Sequence, residues 1–283
     1  MYDKLFVLSQ HLTPQHTLSR TVGRLAQSRS PAIKNTFINW FIQRFGVDMS
    51  EAVMENGEDY ETFNDFFTRA LKPGARLIEG DEKTLNCPVD GYISQLGAVS
   101  DERVFQAKGH SFTLTELLGD RDDLADPLRD GQFATLYLSP SDYHRIHMPI
   151  TGRLREMVYI PGRLFSVNPV TAENVPRLFA RNERVAVIFD TDWGPMAMVL
   201  VGAMIVASVE TVWSGLIQPH GHQIKHTSYV SEPPVELERG TEMGRFRLGS
   251  TVVMVLPKGS CEFEASLESQ QAIRMGQVFG RMQ

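Results

Sequence analysis

The feature that most constrains the fold of this chain is a change of pattern between residues 70 and 84. Before it, Thr13-Pro14 and Ser30-Pro31 each have the form of an N-cap followed by proline, which is typical of a helix start. After it, short β-rich runs are bounded by Gly, Pro and Asp. We therefore predict an α+β protein with a helical arm over residues 1–70 and a β-rich domain over residues 71–283.

The predicted helices of the arm cover about 14–28, 32–45 and 61–71. A further helix at 113–118 has capping-box spacing between Thr113 and Glu116. Residues 266–283 are mixed in character and predict no definite element. The predicted strands are Gly91–Val99, Gln132–Leu138, Gly152–Tyr159, Val185–Phe189, Met196–Val206 and Thr251–Leu256.

Charge is unevenly distributed along the chain. Residues 1–46 contain six basic side chains and one acidic side chain, a net +5, so the rest carries the −11 that completes the total of −6. A basic arm on an acidic body indicates an anionic partner for the arm, either lipid or nucleic acid. The acidic body argues against broad nucleic-acid binding, and we predict none.

One helix of the arm carries an aromatic stripe formed by Phe37, Trp40, Phe41 and Phe45. Such a stripe packs against its own domain or lies on a membrane surface, and the residues alone leave both interpretations open. The longest apolar run, Met196–Ala207, is shorter than the roughly 20 residues that a bilayer requires. If the protein acts on a membrane, we therefore expect it to bind at the membrane surface and not to span the bilayer.

Gly249-Ser250, directly before a predicted strand, is the first candidate for chemistry. The plain interpretation is a turn. The chemical interpretation uses the conformational freedom of glycine, which would let the Ser250 hydroxyl attack the Gly249 carbonyl and move the acyl group from nitrogen to oxygen. β-Elimination of that ester and loss of ammonia to water would leave a pyruvoyl group on a new chain end.

A serine used in this way needs a base, and the base needs an orienting group. His144 and His147 are the candidate bases, and Asp90 is a candidate orienting acid, although Asp90-Gly91 is also an ordinary turn sequence. Two histidines three residues apart also suit zinc, with a third ligand from His220, His222 or His226. We predict that no metal is bound.

Together these segments resemble the phosphatidylserine decarboxylase family, and the likeness spans most of the chain in the family's order. The LGST and DYHRIH motifs are highly specific in combination. The His-rich stretch at 219–226 is not part of the family pattern. The matching segments are Phe63–Ile78 (FNDFFTRALKPGARLI), Pro88–Gly97, Lys108–Gly119, Leu138–Pro149 (LSPSDYHRIHMP), Pro161–Pro169 (PGRLFSVNP) and Gly240–Thr251 (GTEMGRFRLGST).

The resemblance implies roles for individual residues. Ser250 becomes the nucleophile of self-cleavage after Gly249 and the precursor of a covalent pyruvoyl cofactor. His147 becomes the general base, Asp90 the group that holds its imidazole in the useful tautomer, and His144 a residue of the decarboxylation step. Phe165 and Ser166 are expected at the headgroup pocket.

The resemblance also implies an activity and partners. Phosphatidylserine would form an imine with the pyruvoyl group, lose carbon dioxide and leave as phosphatidylethanolamine. The fragments 1–249 and 250–283 would form a heterodimer, two of which would pair, with a β-rich barrel-sandwich core like that of lipoyl domains. The arm would dock on anionic membrane through its aromatic stripe, at the cytoplasmic face of a bacterial inner membrane.

Three other interpretations compete with this one. A pyruvoyl enzyme acting on a soluble amino acid would share the cleavage but has no use for an aromatic, basic arm. A serine hydrolase would keep Ser250 uncleaved, but no G-x-S-x-G elbow surrounds this residue. A non-catalytic lipoyl-like module would leave the motifs of Asp90, His147 and Ser250 unexplained.

Overall fold

The computed structural model describes residues 2–203, 209–217, 221–230, 233–247 and 251–283. Within them the α-helices are α1 Tyr2–Leu12, α2 Gln15–Ala26, α3 Pro31–Phe45, α4 Phe63–Phe67, α5 Leu114–Leu117, α6 Asp122–Ala125, α7 Pro169–Asn174 and α8 Leu178–Arg181. Single 3₁₀ turns lie at Gly57–Asp59 and Asp126–Leu128.

The β-strands lie after the helical arm, between residues 84 and 282. They are β1 Thr84–Asn86, β2 Gly91–Ala98, β3 Arg103–Ala107, β4 His110–Thr113, β5 Gln132–Tyr137, β6 Arg145–His147, β7 Gly152–Ile160, β8 Arg184–Thr191, β9 Gly194–Val201, β10 Val209–Thr211, β11 Gly215–Leu216, β12 Lys225–Ser228, β13 Glu236–Leu237, β14 Glu242–Phe246, β15 Thr251–Leu256, β16 Cys261–Phe263, β17 Ala272–Ile273 and β18 Val278–Met282.

A large antiparallel sheet forms the body, and β15 lies near its middle. The strand order is β12-β7-β8-β9-β15-β5-β2-β17, with β13 also paired to β7. Both faces of β15 are buried, because Val253 and Val255 belong to one apolar cluster while Val252 and Met254 belong to another. Burial on both faces explains why this strand is an unbroken apolar run rather than an alternating one.

The helical arm shares a core with one face of the sheet. Ala26, Ile38 and Phe41 of the arm lie in the same buried cluster as Phe133 and Val253 of the body. The α+β class with an amino-terminal helical region is thereby confirmed. The boundary at residues 70 and 71 stays a prediction.

Most predicted elements are present with small shifts at their ends. Thr251–Leu256 and the helix start at Ser30-Pro31 are confirmed. The predicted helix 61–71 is shorter, since Thr62 accepts a hydrogen bond from the Asp65 amide and starts the helix at Phe63. Residues 204–206 of the predicted strand 196–206 lie outside the described residues.

The first helix, α1, is missing from the prediction, and the predicted cap at Thr13 is wrong. Thr13 donates its hydroxyl to the Ser9 carbonyl at 2.8 Å, so it closes α1. Pro14 takes the cap position of α2 without a side-chain hydrogen bond. Among the described residues, no helix is both long and apolar enough to cross a bilayer.

Candidate active site

Several of the predicted site residues lie near the edge of the main sheet at which β15 begins. Thr251, the residue covalently attached to Ser250, pairs with Tyr137 of β5 and Val201 of β9. Tyr137 pairs in turn with Tyr92 of β2, two residues after Asp90. Since neighbouring strands lie about 4.8 Å apart, the starts of β2 and β15 are separated by about 10 Å. Gly249 and Ser250 themselves lie outside the described residues.

The chain that leads to Ser250 runs beside both predicted histidines. In the β14–β6 ladder Glu242 pairs with His147, and the amide of Phe246 donates to the His144 carbonyl at 3.0 Å. The amide of His147 donates to the Pro88 carbonyl at 2.9 Å, two residues before Asp90. Asp90, His144 and His147 are therefore close in the fold to Phe246 and Thr251, which are described residues on either side of the Gly249-Ser250 bond.

The His147 ring is held on both nitrogens. Its Nδ1 lies 2.8 Å from the Gly240 carbonyl oxygen, which can only accept, so Nδ1 carries the proton. Its Nε2, 3.1 Å from the Tyr143 hydroxyl, is then the acceptor. Burial lowers the pKa of His147, and the Gly240 hydrogen bond and the charges of Glu242 and Asp90 oppose this effect. The ring is in the neutral tautomer that a general base on Nε2 requires.

The Asp90 carboxylate is engaged elsewhere. It accepts from the Nε of Arg76 at 2.9 and 3.0 Å, from Arg76 Nη2, and from the Met275 amide at 2.9 Å. Burial lowers the pKa of Arg76, but its hydrogen bonds to Asp90 and Glu51 and the charges of these two carboxylates outweigh that effect and raise the pKa. The prediction that Asp90 itself holds the His147 ring is wrong in this structure, because the Gly240 carbonyl occupies that position. The charge of Asp90 is the smallest of the effects that oppose the lowering of the His147 pKa by burial.

A cavity of about 370 Å³ opens beside Asp90. Its walls include Arg69, Arg76, Tyr143 and the side chain of Asp90 itself. Arg69 is almost fully buried and uses its Nη2 to donate to the Ser141 carbonyl at 2.9 Å. This contact fixes the turn from which Tyr143 and both histidines follow.

The second histidine, His144, is completely buried. Its Nδ1 lies 2.8 Å from the Asp142 carbonyl oxygen, and the Phe67 ring lies 4.0 Å away between centroids. Its Nε2 has no hydrogen-bond partner within the part of the chain that the structure describes. Burial lowers the pKa of His144 to about 3. The residue is therefore neutral near pH 7 and presents an unprotonated nitrogen inside the protein.

The sequence Ser139-Pro140-Ser141-Asp142 folds as a turn because Asp142 closes it. One carboxylate oxygen of Asp142 accepts from the Ser139 amide at 2.6 Å and from its hydroxyl at 2.7 Å. The Asp142 amide donates back to the Ser139 carbonyl at 3.0 Å. Aspartate is favoured in turns for such local bonds. The predicted loop conformation is confirmed up to the short strand β6.

The predicted headgroup residues lie under the arm. Phe165 is buried, with its ring edge-on to His11 at 4.8 Å between centroids, while Ser166 is partly exposed. Gln10 accepts from the Ser166 amide at 2.8 Å, and Gln15 accepts from the Leu164 amide at 2.9 Å. The arm therefore orders the loop that contains both residues.

The four aromatic residues that were predicted to face a membrane differ in their exposure to solvent. Phe41 is only 6% exposed and Phe37 and Phe45 pack against the core, whereas Trp40 is 52% exposed. The prediction that Phe41 contacts a membrane is wrong for this conformation, because α4 covers it through Phe63, Phe66 and Phe67. Other exposed apolar side chains among the described residues of the arm are Phe6, Leu8, Leu25, Ile33, Val53 and Met54.

Several residues of the site were not predicted from the sequence. Arg76 lies in the LKPGAR segment and Tyr143 lies between Asp142 and His144. Both therefore belong to recognised motifs, but the sequence analysis gave neither residue a role. Gly240 contributes only a carbonyl, for which no side-chain signal exists. Of the histidines considered for zinc, His220 lies outside the described residues, and the described residues contain no group of three potential ligands.

Comparisons with known proteins agree on one family. A family model described as phosphatidylserine decarboxylase matches residues 63–281, and a model described as PSD matches residues 5–46. A phosphatidylserine decarboxylase proenzyme of Marinobacter nauticus is 61% identical over 100% of this chain and 99% of its own length. Proenzymes of the same name from Hahella chejuensis and Ectopseudomonas mendocina are 59% and 55% identical, covering 100% of this chain and 95% and 100% of their own lengths.

Proposed function

Because this chain belongs to the phosphatidylserine decarboxylase family, we propose that it decarboxylates phosphatidylserine with a pyruvoyl group made by cleavage of its own chain between Gly249 and Ser250. The observation that carries this proposal is that Asp90, His144 and His147 lie near the amino-terminal end of β15, which begins at Thr251. The word proenzyme in the relatives' names also supports a cleaved precursor.

The surrounding residues fit such a group. Thr251 lies between Tyr137 of β5 and Val201 of β9 in the sheet, so a new chain end one residue before it would have a rigid support. Within the described ranges the buried Nε2 of His144 has no hydrogen-bond partner, and the carbonyl of the same residue accepts from the amide of Phe246, five residues before Thr251. When present, a pyruvoyl group supplies a carbonyl for the substrate amine and an electron sink for the loss of carbon dioxide.

In maturation, His147 is the residue that moves the proton. Its Nε2 gives up the hydrogen bond from the Tyr143 hydroxyl and accepts one from the Ser250 hydroxyl instead. It takes the hydroxyl proton as the Ser250 oxygen attacks the Gly249 carbonyl, and it later returns a proton to the departing amine. The Gly240 carbonyl keeps the ring in the tautomer required. The negative charge of Asp90 stabilises the imidazolium that forms.

The fragments of such a cleavage would stay together. Strand β15 belongs to the fragment 250–283 and is hydrogen-bonded to β9 and β5 of the fragment 1–249. Their heterodimer, its pairing into a dimer, and a location on the cytoplasmic face of a bacterial inner membrane are parts of this proposal. So is closure of the body as a lipoyl-like barrel-sandwich.

Carbonyl chemistry tests the proposed function directly. We expect the purified protein to release carbon dioxide from phosphatidylserine vesicles and to lose this activity on treatment with hydroxylamine, which traps carbonyl groups. Free serine, supplied at the same concentration, is expected to react far more slowly. Activity that survives hydroxylamine would contradict a pyruvoyl enzyme, and equal turnover of free serine would favour the soluble amino acid as substrate.

Replacing His144 with glutamine is expected to separate maturation from turnover. The protein should still cleave, because His147 is intact, while kcat for decarboxylation falls by about 10² or more, the usual contribution of a positioned proton-transfer group. Intact mass and carbon dioxide release measure the two steps. Undiminished kcat in fully cleaved protein would remove His144 from the reaction.

The same substitution is expected to change the effect of acid on stability. His144 has a folded pKa of about 3 against an ordinary 6.5, so the unfolded chain binds a proton that the folded protein excludes. This contribution to stability is complete above pH 6.5 and is lost as the pH falls toward 3. Urea unfolding at pH 7 and pH 5 should therefore show a smaller loss for His144→Gln than for the wild type. Equal losses would contradict a neutral, buried His144.

Membrane docking is expected to depend on Trp40 and not on Phe41. Trp40→Ala should weaken binding to vesicles containing phosphatidylserine several-fold with little change in unfolding, because this indole is exposed. Phe41→Ala is the matched control and should destabilise the fold by about 3–5 kcal/mol, the usual cost of truncating a buried phenylalanine. Vesicle sedimentation and thermal unfolding measure these effects. Unchanged vesicle binding by Trp40→Ala would contradict docking through this face.

A further inference from the structure

A second and larger cavity, of about 960 Å³, lies between helix α2 and the loop that follows β7. Its basic wall residues are Arg20 of α2, Arg163 of the loop and Arg181 of α8. His16, His222 and Glu183 are its other ionisable wall residues. None of the functions assigned above uses this cavity or its three arginines.

The three arginines of this cavity outnumber its single wall carboxylate, Glu183. Within the described ranges, no carboxylate lies in ion-pair distance of Arg20, Arg163 or Arg181. Glu183 is buried and accepts from the Tyr159 hydroxyl at 2.9 Å instead. Burial, followed by the charges of Arg177 and Arg163, lowers the pKa of Arg181. An anion in the cavity would relieve this repulsion.

The backbone of the loop is built to hold Arg163 at this place. Its amide donates to the Arg181 carbonyl and its carbonyl accepts from the Glu183 amide, both at 2.8 Å. A Cβ on Gly162 would lie 2.5 Å from the Arg181 carbonyl oxygen, so only glycine permits this close approach. His16 of α2 reaches the Gly162 carbonyl at 3.2 Å and joins the arm to the loop.

The cavity lies along the same sheet edge as the start of β15. Glu183 directly precedes Arg184, the first residue of β8, and Arg184 pairs with Val201 of β9, which pairs with Thr251. Two strand spacings make about 10 Å. A phosphoserine headgroup carries its phosphate only a few bonds from its amine, so this headgroup and one extended arginine side chain together can bridge such a gap.

We propose that the Arg20–Arg163–Arg181 cavity binds the phosphodiester of the phosphatidylserine headgroup while the amine of that headgroup points to the start of β15. This inference rests on the proposed function. Arginine suits the task because its planar guanidinium donates two parallel hydrogen bonds to phosphate oxygens. Since α2 supplies one wall, the site is complete only when the arm is packed on the body.

Monomeric substrate separates this binding from docking on a membrane. We would measure kcat and KM for dihexanoyl phosphatidylserine below its micelle concentration, in Arg163→Gln and Arg20→Gln. The matched controls are Arg153→Gln, an exposed arginine of β7, and Arg24→Gln, one turn after Arg20 on α2. Each variant loses one positive charge, but the two control positions do not line the cavity.

We expect KM to rise about tenfold in Arg163→Gln and Arg20→Gln, the loss of one charge-assisted hydrogen bond, with kcat changed less than about twofold. Both controls should stay within about twofold of the wild type. Equal KM in test and control variants would overturn the proposal. Glycerophosphoserine should compete with the substrate, and inorganic phosphate acting equally well would overturn the assignment to the headgroup diester.

Failure of the proposed function would appear differently. An uncut, inactive wild type would contradict the pyruvoyl reaction but leave the cavity testable by calorimetric titration with glycerophosphoserine, which needs no turnover. Binding that is weakened by Arg163→Gln and not by Arg153→Gln would then still support the cavity as a phosphodiester site. No binding by the folded wild type would overturn it.

Discussion

Ser250→Ala is expected to yield a single uncut chain of 283 residues without decarboxylase activity. Alanine has no hydroxyl to attack the Gly249 carbonyl, so neither the ester nor the pyruvoyl group can form. The loss should be complete, because the same oxygen starts cleavage and the same residue becomes the cofactor. Denaturing gel electrophoresis and carbon dioxide release from phosphatidylserine measure both effects.

The matched control for this variant is Ser266→Ala. Ser266 lies on the same carboxy-terminal fragment and is exposed. It should cleave and react like the wild type. Normal cleavage of Ser250→Ala would contradict the maturation proposal, and an uncut but fully active Ser250→Ala would contradict the pyruvoyl cofactor.

His147→Ala is expected to slow self-cleavage by about 10² to 10⁴, the range usual for removal of a general base. The rate can be followed after cell-free synthesis, as conversion of the precursor into two fragments. Ser139→Ala, which alters the preceding turn without removing a base, is a useful comparison and should slow cleavage much less. Wild-type kinetics in His147→Ala would exclude this residue as the base.

Asp90→Asn is expected to slow cleavage as well, through loss of charge rather than of a hydrogen bond to His147. The Asp90 charge raises the pKa of His147 against the effect of burial. Removing it should lower this pKa and move the acidic limb of the pH–rate profile of cleavage to lower pH. An acidic limb at the wild-type position would contradict the electrostatic role and return Asp90 to a purely structural one beside Arg76.

The strands were predicted well where β-branched, apolar residues are also buried in the structure. β15 is correct to the residue, because its β-branched, apolar run is buried on both faces and leaves no alternative. Helix α3 begins at Pro31, one residue before the predicted range 32–45, and ends at Phe45 as predicted. Helix α1 was not predicted because its place depends on long-range contacts such as Gln10 with Ser166, which no local pattern shows.

The candidate site was predicted in its residue types and only partly in its contacts. The motif with His144 and His147 identifies both rings, but their hydrogen bonds go to the carbonyls of Asp142 and Gly240, which carry no sequence signal. The aromatic stripe failed at Phe41 for a similar reason. Helical spacing places Trp40 and Phe41 on one side, and only the packing of α4 shows which of them is covered.

The most direct test of the central claim is the intact mass of the purified wild-type protein under denaturing conditions. We expect two fragments, 1–249 and 250–283, with the smaller one lighter by one ammonia than its serine-terminated sequence. A single chain of full mass, recovered from folded protein, would mean that Ser250 is not a cofactor precursor and would contradict the proposed function.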